Sequence, residues 1–291
     1  MSTLSIGLGD ELPTLKPHEF EKFSKLAYDH FGLDLRNGKQ SLVAARLGKK
    51  LRELGLKSFQ DYYDYVTSDK SGVAMTGMVD FLTTNHTSFF REPRHFDFLR
   101  KNILPAVLKR PQINIWSAAC SSGEEPYSIA MSLLEEAPVE ARSKIRIRAT
   151  DISTRVLERG RRGIYKAAAV EAIPMPLRQR FMLKGQNASS DCYRFKGEIR
   201  SLIDFEHLNL MSDFSGAYRC PVIFCRNIMI YFDKPTQENL VRRLSAQLED
   251  GGYLFIGHSE SLNGISHGLE YISPATYRKP LSGRGGQTGR N

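Results

Sequence analysis

The residues best placed to do chemistry sit where apolar segments give way to small or polar ones. In "IWSAACSSGEEPYSIAM", residues 115–131, an apolar stretch runs into the small residues Ser117 to Gly123, then into a helix that opens on Glu124 and Glu125. A strand, a tight turn and a helix in that order commonly seat a phosphate on helix N–H groups, but two carboxylates at that point repel one. The ligand must suit the turn and also want negative charge. Three more strand ends carry polar residues: Asp151, 28 residues after Gly123, closes "KIRIRATDIS", Asn209 closes "EHLNL", and Arg226 with Asn227 follows "PVIFC". An acid at the end of the second strand can accept from both ribose hydroxyls, and an Asn offers an adenine edge both a donor and an acceptor. Together these describe a nucleoside that carries positive charge. S-adenosylmethionine, with its sulfonium and ammonium, fits, and its own carboxylate could take N–H groups or an arginine. Each residue also has a duller reading. The glutamates could favour the positive end of a helix dipole, Asp151 could cap the next helix, Asn227 could be a turn residue, and Cys120 a small filler.

The elements that must position these residues follow from periodicity. Residues 17–67 read as helices: Phe20, Phe23, Leu26, Ala27 and Phe31 share a face that ends at Gly32, and Leu42, Val43, Leu47, Leu51 and Leu54 form a stripe that ends at Gly55. Ser58 is placed to cap a third helix. Residues 71–110 continue as helix. From residue 111 the period changes, with strands expected at "INIWSAA", "KIRIRATDIS", "LIDFEHLNL", "PVIFCRNIMIYF" and "YLFIGHS", and helices between them; the last helix, "QENLVRRLSAQLED", stops at Gly251–Gly252. Such alternation predicts a mostly parallel sheet covered on both faces, whose ligand lies beyond the carboxyl ends of the strands. "QNASSDCYRFKGEI" breaks the rhythm and suggests a short antiparallel insert at about 186–202. The domains expected are 1–75, helical, and 76–280, cofactor-binding, with a disordered Gly-rich tail over 281–291.

Composition narrows the class. With 291 residues, 41% apolar and 25% charged, the chain is globular, and its apolar runs are too short to span a membrane. The first residues, "MSTLSIGLGDELPTL", lack the regions of a signal peptide, so a cytoplasmic protein is expected; a monomer is expected as well. Four scattered cysteines form neither a disulfide framework nor a metal site, and the histidines show no metal spacing. The net charge of +9 points to a polyanionic partner, either nucleic acid or an acidic protein surface. Residues 36–57 hold seven basic residues against Glu53, with Arg46, Lys49, Lys50 and Arg52 on the polar side of one helix.

Six stretches, "NHTSFFREPRHF", "WSAACSSGEEPYSIAM", "ATDIS", "HLNL", "FCRNIMIYFDK" and "GHSESL", make the sequence resemble the CheR-type chemotaxis receptor methyltransferases over roughly residues 15–280. The resemblance implies a helical N-terminal domain, a Rossmann-like S-adenosylmethionine domain and an inserted antiparallel β-subdomain. It implies cofactor contacts from Asn85, Thr87, Arg91, Glu125, Asp151, Asn209, Leu210, Arg226 and Asn227. Arg91 and Tyr231 would lie nearest the transferring methyl, with Arg91 serving either the cofactor's carboxylate or the acceptor. The implied reaction methylates glutamate γ-carboxylates on the cytoplasmic helices of methyl-accepting chemotaxis receptors, giving a methyl ester and S-adenosylhomocysteine without a metal. Arg46, Lys49, Lys50 and Arg52 would dock that receptor, with no role for nucleic acid or membrane insertion. The region "KGQNASSDCYRFKGEIRSL" lacks the glycine-rich loop of members that grip a receptor's tethered peptide, which predicts a tether-independent enzyme. Two other readings are a methyltransferase of another acceptor such as nucleic acid, and a non-catalytic module that senses the cofactor.

Overall fold

The computed structural model describes residues 13–35, 38–83, 86–216 and 218–281. The chain divides into two units, Met1–Thr84 and Asn85–Asn291.

The first unit is helical: α1 (Pro17–Phe31), α2 (Gln40–Leu54), α3 (Phe59–Ser68) and α4 (Val73–Leu82). Its start and stop signals act as the sequence indicates. Gly32 and Gly55 close α1 and α2 in left-handed conformations, with φ of 68° and 67°. The Ser58 hydroxyl accepts the Asp61 N–H at 3.1 Å. Phe23, Val43, Leu47, Leu51, Phe59, Tyr62 and Val66 form the core, with Phe23 stacked on Tyr62 at 5.8 Å. Leu42 and Leu54, expected on the buried stripe of α2, stay exposed at 44% and 37%. Helix α4 buries Ala74, Met78, Val79 and Leu82 and packs on α2 and α3. The division expected after residue 75 would cut this helix, and the observed units separate after Thr84 instead.

The second unit begins with α5 (Arg94–Phe98), a π-helical turn (Leu99–Ile103) and α6 (Leu104–Val107). It continues through β1 (Ile113–Ala118), α7 (Glu124–Glu136), α8 (Val139–Arg142), β2 (Ile145–Asp151) and α9 (Thr154–Arg162). Next come β3 (Ile164–Lys166), α10 (Ala167–Val170), α11 (Met175–Phe181), β4 (Met182–Lys184), β5 (Cys192–Phe195) and α12 (Gly197–Arg200). The chain then runs through β6 (Ile203–His207), β7 (Cys220–Cys225), α13 (Lys234–Gln247), β8 (Leu248–Phe255), β9 (Glu270–Ser273) and β10 (Thr276–Arg278). The main sheet has the order β6-β2-β1-β7-β8-β10-β9, parallel from β6 to β8 and antiparallel at β10 and β9. Strand β1 lies between β2 and β7, so the order reverses at its carboxyl end, the place where such sheets bind ligands.

Three boundaries differ from the sequence reading. The antiparallel insert is a separate sheet, β3-β5-β4, that starts at Ile164; of its three strands the expected window 186–202 holds only β5, beside a 3₁₀ turn (Asn187–Ser189) and α12. Strands of three residues are too short to show a period. Strand β7 ends at Cys225, because Asn227 is left-handed (φ 59°) and Met229–Tyr231 form a 3₁₀ turn despite their apolar character. Helix α13 stops at Gln247, so Gly251 and Gly252 fall inside β8, where Gly251 takes φ 77° beside a register shift between β7 and β8. The expectation for the Gly-rich tail beyond Leu281 lies outside the described residues.

The small sheet is joined to the large one through aromatic packing. Phe195 stacks on Tyr127 of α7 at 4.0 Å and 5°, while Phe89 meets Tyr165 of β3 edge-on at 4.9 Å. Phe195 is 1% exposed. Phe195→Ala should therefore cost about 3–5 kcal/mol of stability, read by equilibrium urea unfolding. A cost below about 1 kcal/mol would show that the stack does not hold the insert.

Candidate active site

The turn after β1 is built from left-handed residues: Ala119 (φ 63°), Ser121 (φ 50°) and Gly123 (φ 96°). At Gly123 a Cβ would come within 2.9 Å of the Tyr165 hydroxyl and 3.0 Å of the Gly160 Cα, so a side chain has no room there. Asp151 ties the turn to β2. Its Oδ2 accepts the Ser121 N–H at 2.8 Å and its Oδ1 accepts the Ser153 N–H at 2.9 Å. The cap of α9 is Ser153, whose hydroxyl accepts the Val156 N–H at 3.4 Å. Asp151 thus braces the turn at the strand end.

Glu124 and Glu125 part company. Glu124 is buried, accepts the Ser122 hydroxyl at 2.7 Å and lies 3.7 Å from Arg159; burial pushes its carboxyl pKa up. Glu125 accepts the Ser117 hydroxyl at 2.7 Å on Oε1 and the Arg226 Nη1 at 2.9 Å on Oε2. Only Glu125 joins the group at the strand ends.

Arg226, just past β7, is 6% exposed and is the centre of that group. Its Nη2 donates to the Arg91 carbonyl at 2.6 Å and to Glu92 Oε2 at 2.9 Å. Glu92 Oε1 accepts the Asn227 side-chain amide at 3.4 Å and the His258 N–H at 3.1 Å. Burial would raise the Glu92 carboxyl, but the Arg226 guanidinium outweighs it and holds the pKa below the usual value. His95 is buried against this junction, 3.6 Å from Glu92. Burial, aided by Arg226, lowers its pKa to about 3, so the ring stays neutral. Donor atoms of Glu92, His95 and His258 lie within 4.8 Å of one another, close enough to hold a metal ion. The oxygen of Glu92 nearest His95 already takes Arg226, however, and a cation there would face a guanidinium. An ion-pair junction suits the group better.

The other expected residues surround this centre. Asn85 lies outside the described residues. Thr87 and Arg91 are half-buried in the preceding segment, where Arg91 donates to the His86 carbonyl at 2.9 Å and the Phe90 N–H reaches the Ser128 hydroxyl at 2.9 Å. The Asn209 side-chain oxygen accepts the Met211 N–H at 2.9 Å, which commits it to a turn. Leu210 is buried, and its carbonyl accepts Arg243 at 2.8 Å. Tyr231 is half-buried at the end of the 3₁₀ turn. Burial drives the thiols of Cys120 and Cys225 far above their usual pKa, so neither is a nucleophile.

Of seven left-handed non-glycine residues among those described, five, Phe90, Glu92, Ala119, Ser121 and Asn227, lie in the segments that meet here. Strain of this kind gathers at functional sites. Glu92 and Glu260, both bonded to backbone in these segments, were absent from the sequence-based set. Their only signal was membership in the "NHTSFFREPRHF" and "GHSESL" stretches. The group fits S-adenosylmethionine: Glu92, Glu125 and Asp151 outnumber Arg91 and Arg226 as charges, and the Ser121 hydroxyl and Arg226 Nε are buried without partners among the described residues.

Comparison with known proteins agrees. Residues 85–277 match the family described as "CheR methyltransferase, SAM binding domain", and residues 18–83 match "CheR methyltransferase, all-alpha domain". A chemotaxis protein methyltransferase of Borreliella burgdorferi is 39% identical over 90% of this chain and 94% of that protein. A probable chemotaxis protein methyltransferase of Rhizobium etli is 38% identical over 89% of this chain and 99% of that protein. Chemotaxis protein methyltransferase 2 of Pseudomonas aeruginosa is 39% identical over 89% of this chain and 92% of that protein.

The neutral His95 has a consequence for stability. An unfolded histidine takes up a proton below about pH 6.5 while the folded one, with its pKa near 3, does not. Stability should therefore be lost as pH falls from 6.5 towards 3. His95→Phe should reduce the loss between pH 7 and pH 5 by about 1–2 kcal/mol, measured by urea unfolding at the two pH values. Equal losses in both proteins would show that His95 titrates normally.

Proposed function

The chain belongs to the CheR methyltransferase family and is an S-adenosylmethionine-dependent methyltransferase; on that premise we propose that it methylates glutamate γ-carboxylates on the cytoplasmic helices of methyl-accepting chemotaxis receptors. Asp151 would hold the ribose, Asn209 and Leu210 the adenine, and Glu125, Arg226 and Asn227 the amino acid end. Asn85, Thr87 and Arg91 would close the site from the other side. When bound, S-adenosylmethionine supplies a methyl activated by a positive sulfur, which departs as a neutral thioether once a carboxylate oxygen takes the methyl.

The observation that carries this reading is that the carboxylates around the Arg226 junction, within the described residues, are already committed and not free to take a proton, while the exposed His258 ring is set 4.0 Å from one of them, Glu92. The carboxylates there are tied to Arg226 or to backbone N–H groups, and His95 is buried with a depressed pKa. A hydroxyl or amine acceptor would need a proton removed. A glutamate, with an ordinary pKa of about 4.3, arrives already ionised. What remains for the chain is orientation and removal of water, which can supply roughly 7–11 kcal/mol. Arg91 and Tyr231 would aim the acceptor, the neutral Tyr hydroxyl doing so without strongly blunting the nucleophile. No helix among the described residues is long and apolar enough to cross a membrane.

The helical unit would carry receptor docking, and the four basic residues are not equivalent. Arg46 donates to the Leu82 carbonyl, and Lys50 reaches Glu53 at 3.4 Å and lies over the Phe81 ring. Lys49 and Arg52 are exposed. These two suit contact with an acidic receptor helix.

Incubation with receptor cytoplasmic domains and radiolabelled S-adenosylmethionine should give base-labile label, released as methanol. Alkali-stable label on nucleic acid would overturn the assignment. Tyr231→Phe should lower turnover about tenfold, or roughly 1.4 kcal/mol, with near-normal cofactor affinity; unchanged turnover would remove Tyr231 from the mechanism. The pair Lys49→Glu and Arg52→Glu should raise the receptor KM and leave cofactor binding unchanged. Unaltered receptor kinetics would place the docking face elsewhere.

A further inference from the structure

We propose that Glu260 is the positioning residue for the segment that carries Asn227 and Tyr231, a carboxylate that latches this segment to the end of β8. The proposal rests on the reading above that Asn227 faces the cofactor and Tyr231 the acceptor.

Glu260 meets backbone from two sides. Its Oε2 accepts the Asn227 N–H at 2.9 Å and the Gly257 N–H at 2.6 Å, while its Oε1 accepts the Met229 N–H at 2.7 Å. Gly257 follows β8 and Asn227 follows β7, so one side chain fastens the exits of two neighbouring parallel strands. The two exits are in close contact: a Cβ on Gly257 would come within 2.3 Å of the Asn227 side-chain nitrogen. Asn227 is left-handed at φ 59°, a conformation that a non-glycine residue keeps only when its surroundings hold it. The Glu260 bond to its N–H is a direct restraint on that conformation. The bond to Met229 restrains the first residue of the turn that ends in Tyr231.

The residue type follows from the donors. Three N–H groups converge, and an ionised carboxylate accepts at both oxygens and donates nowhere. A glutamine of the same shape would turn an NH₂ towards one set of N–H groups and leave donor facing donor. A simple loop cap would also use these bonds. The difference is that a positioning residue alters what Asn227 and Tyr231 do, while overall stability holds.

The test uses the full chain as Glu260→Gln, with Gly257→Ala as a second variant that keeps the carboxylate and drives a methyl against Asn227. Amide hydrogen exchange of the unliganded protein should be about tenfold faster in the peptide covering residues 226–232 of Glu260→Gln, with the melting temperature lowered by only a few degrees and a single cooperative transition kept. Calorimetry should show S-adenosylhomocysteine bound about tenfold more weakly by both variants. Turnover should fall while the receptor KM stays unchanged. Wild-type exchange in Glu260→Gln overturns the latch. Faster exchange with wild-type affinity and turnover overturns the positioning role. Should wild-type protein itself fail to bind S-adenosylhomocysteine, the reading of the site would fail, while the exchange measurement would still decide the latch.

Discussion

A guanidinium that is 6% exposed must be neutralised where it stands, and Arg226 imposes that requirement on its surroundings. Glu125 arrives from the first turn of α7, Glu92 from the segment before α5, and the Arg91 carbonyl from beside it. Because Arg226 follows β7, these bonds bring three stretches far apart in sequence to the carboxyl edge of the sheet. Removing either acid would leave a buried charge half-paired, a costlier fault than the loss of one hydrogen bond. The junction thus fixes the relative placement of the turn after β1, the end of β7 and the segment carrying Thr87 and Arg91.

The same edge is strained, and carboxylates hold the strain in place. Ser121, Glu92 and Asn227 are left-handed without being glycine. Asp151 accepts the N–H of Ser121, Glu92 accepts that of His258, and Glu260 accepts those of Asn227, Met229 and Gly257. The loops after β1, β7 and β8 are therefore each caught by an acid from another segment. An acceptor-only group suits this task, since backbone at the end of a strand has N–H groups that no ladder satisfies.

What the sequence revealed was local. Gly32, Gly55 and Ser58 mark helix ends, and small residues between a strand and a helix mark the turn that Gly123 closes. Asp151, Arg226 and Asn227 could be placed at the sheet's carboxyl edge because they close or follow apolar runs that read as strands. Whatever depended on distant partners stayed hidden. Glu124 and Glu125 look alike in sequence, yet one turns to Ser122 and Arg159 and the other to Arg226, 101 residues away. Glu92 and Glu260 had no periodic or spacing signal, because their partners are N–H groups and side chains from other loops. The basic side of α2 read as one patch, but Arg46 is spent on the end of α4. The strands β3 and β4, of three residues each, pair with β5, and Phe195 and Tyr165 pack that small sheet onto α7 and the segment around Phe89.

The charge count at this edge bears on how an anionic acceptor could be tolerated there. Glu92, Glu125, Asp151 and Glu260 against Arg91 and Arg226 leave two net negative charges, which by themselves would repel a glutamate. S-adenosylmethionine carries one net positive charge, from its sulfonium and ammonium less its carboxylate, and would halve that excess. S-adenosylhomocysteine has lost the sulfonium charge and would restore the negative excess. An edge with an equal number of acids and guanidiniums would lack this difference. On the proposed assignment of the site, the excess acid would favour the charged cofactor over its neutral product and would make the edge less repellent to a carboxylate while the methyl remains to be transferred.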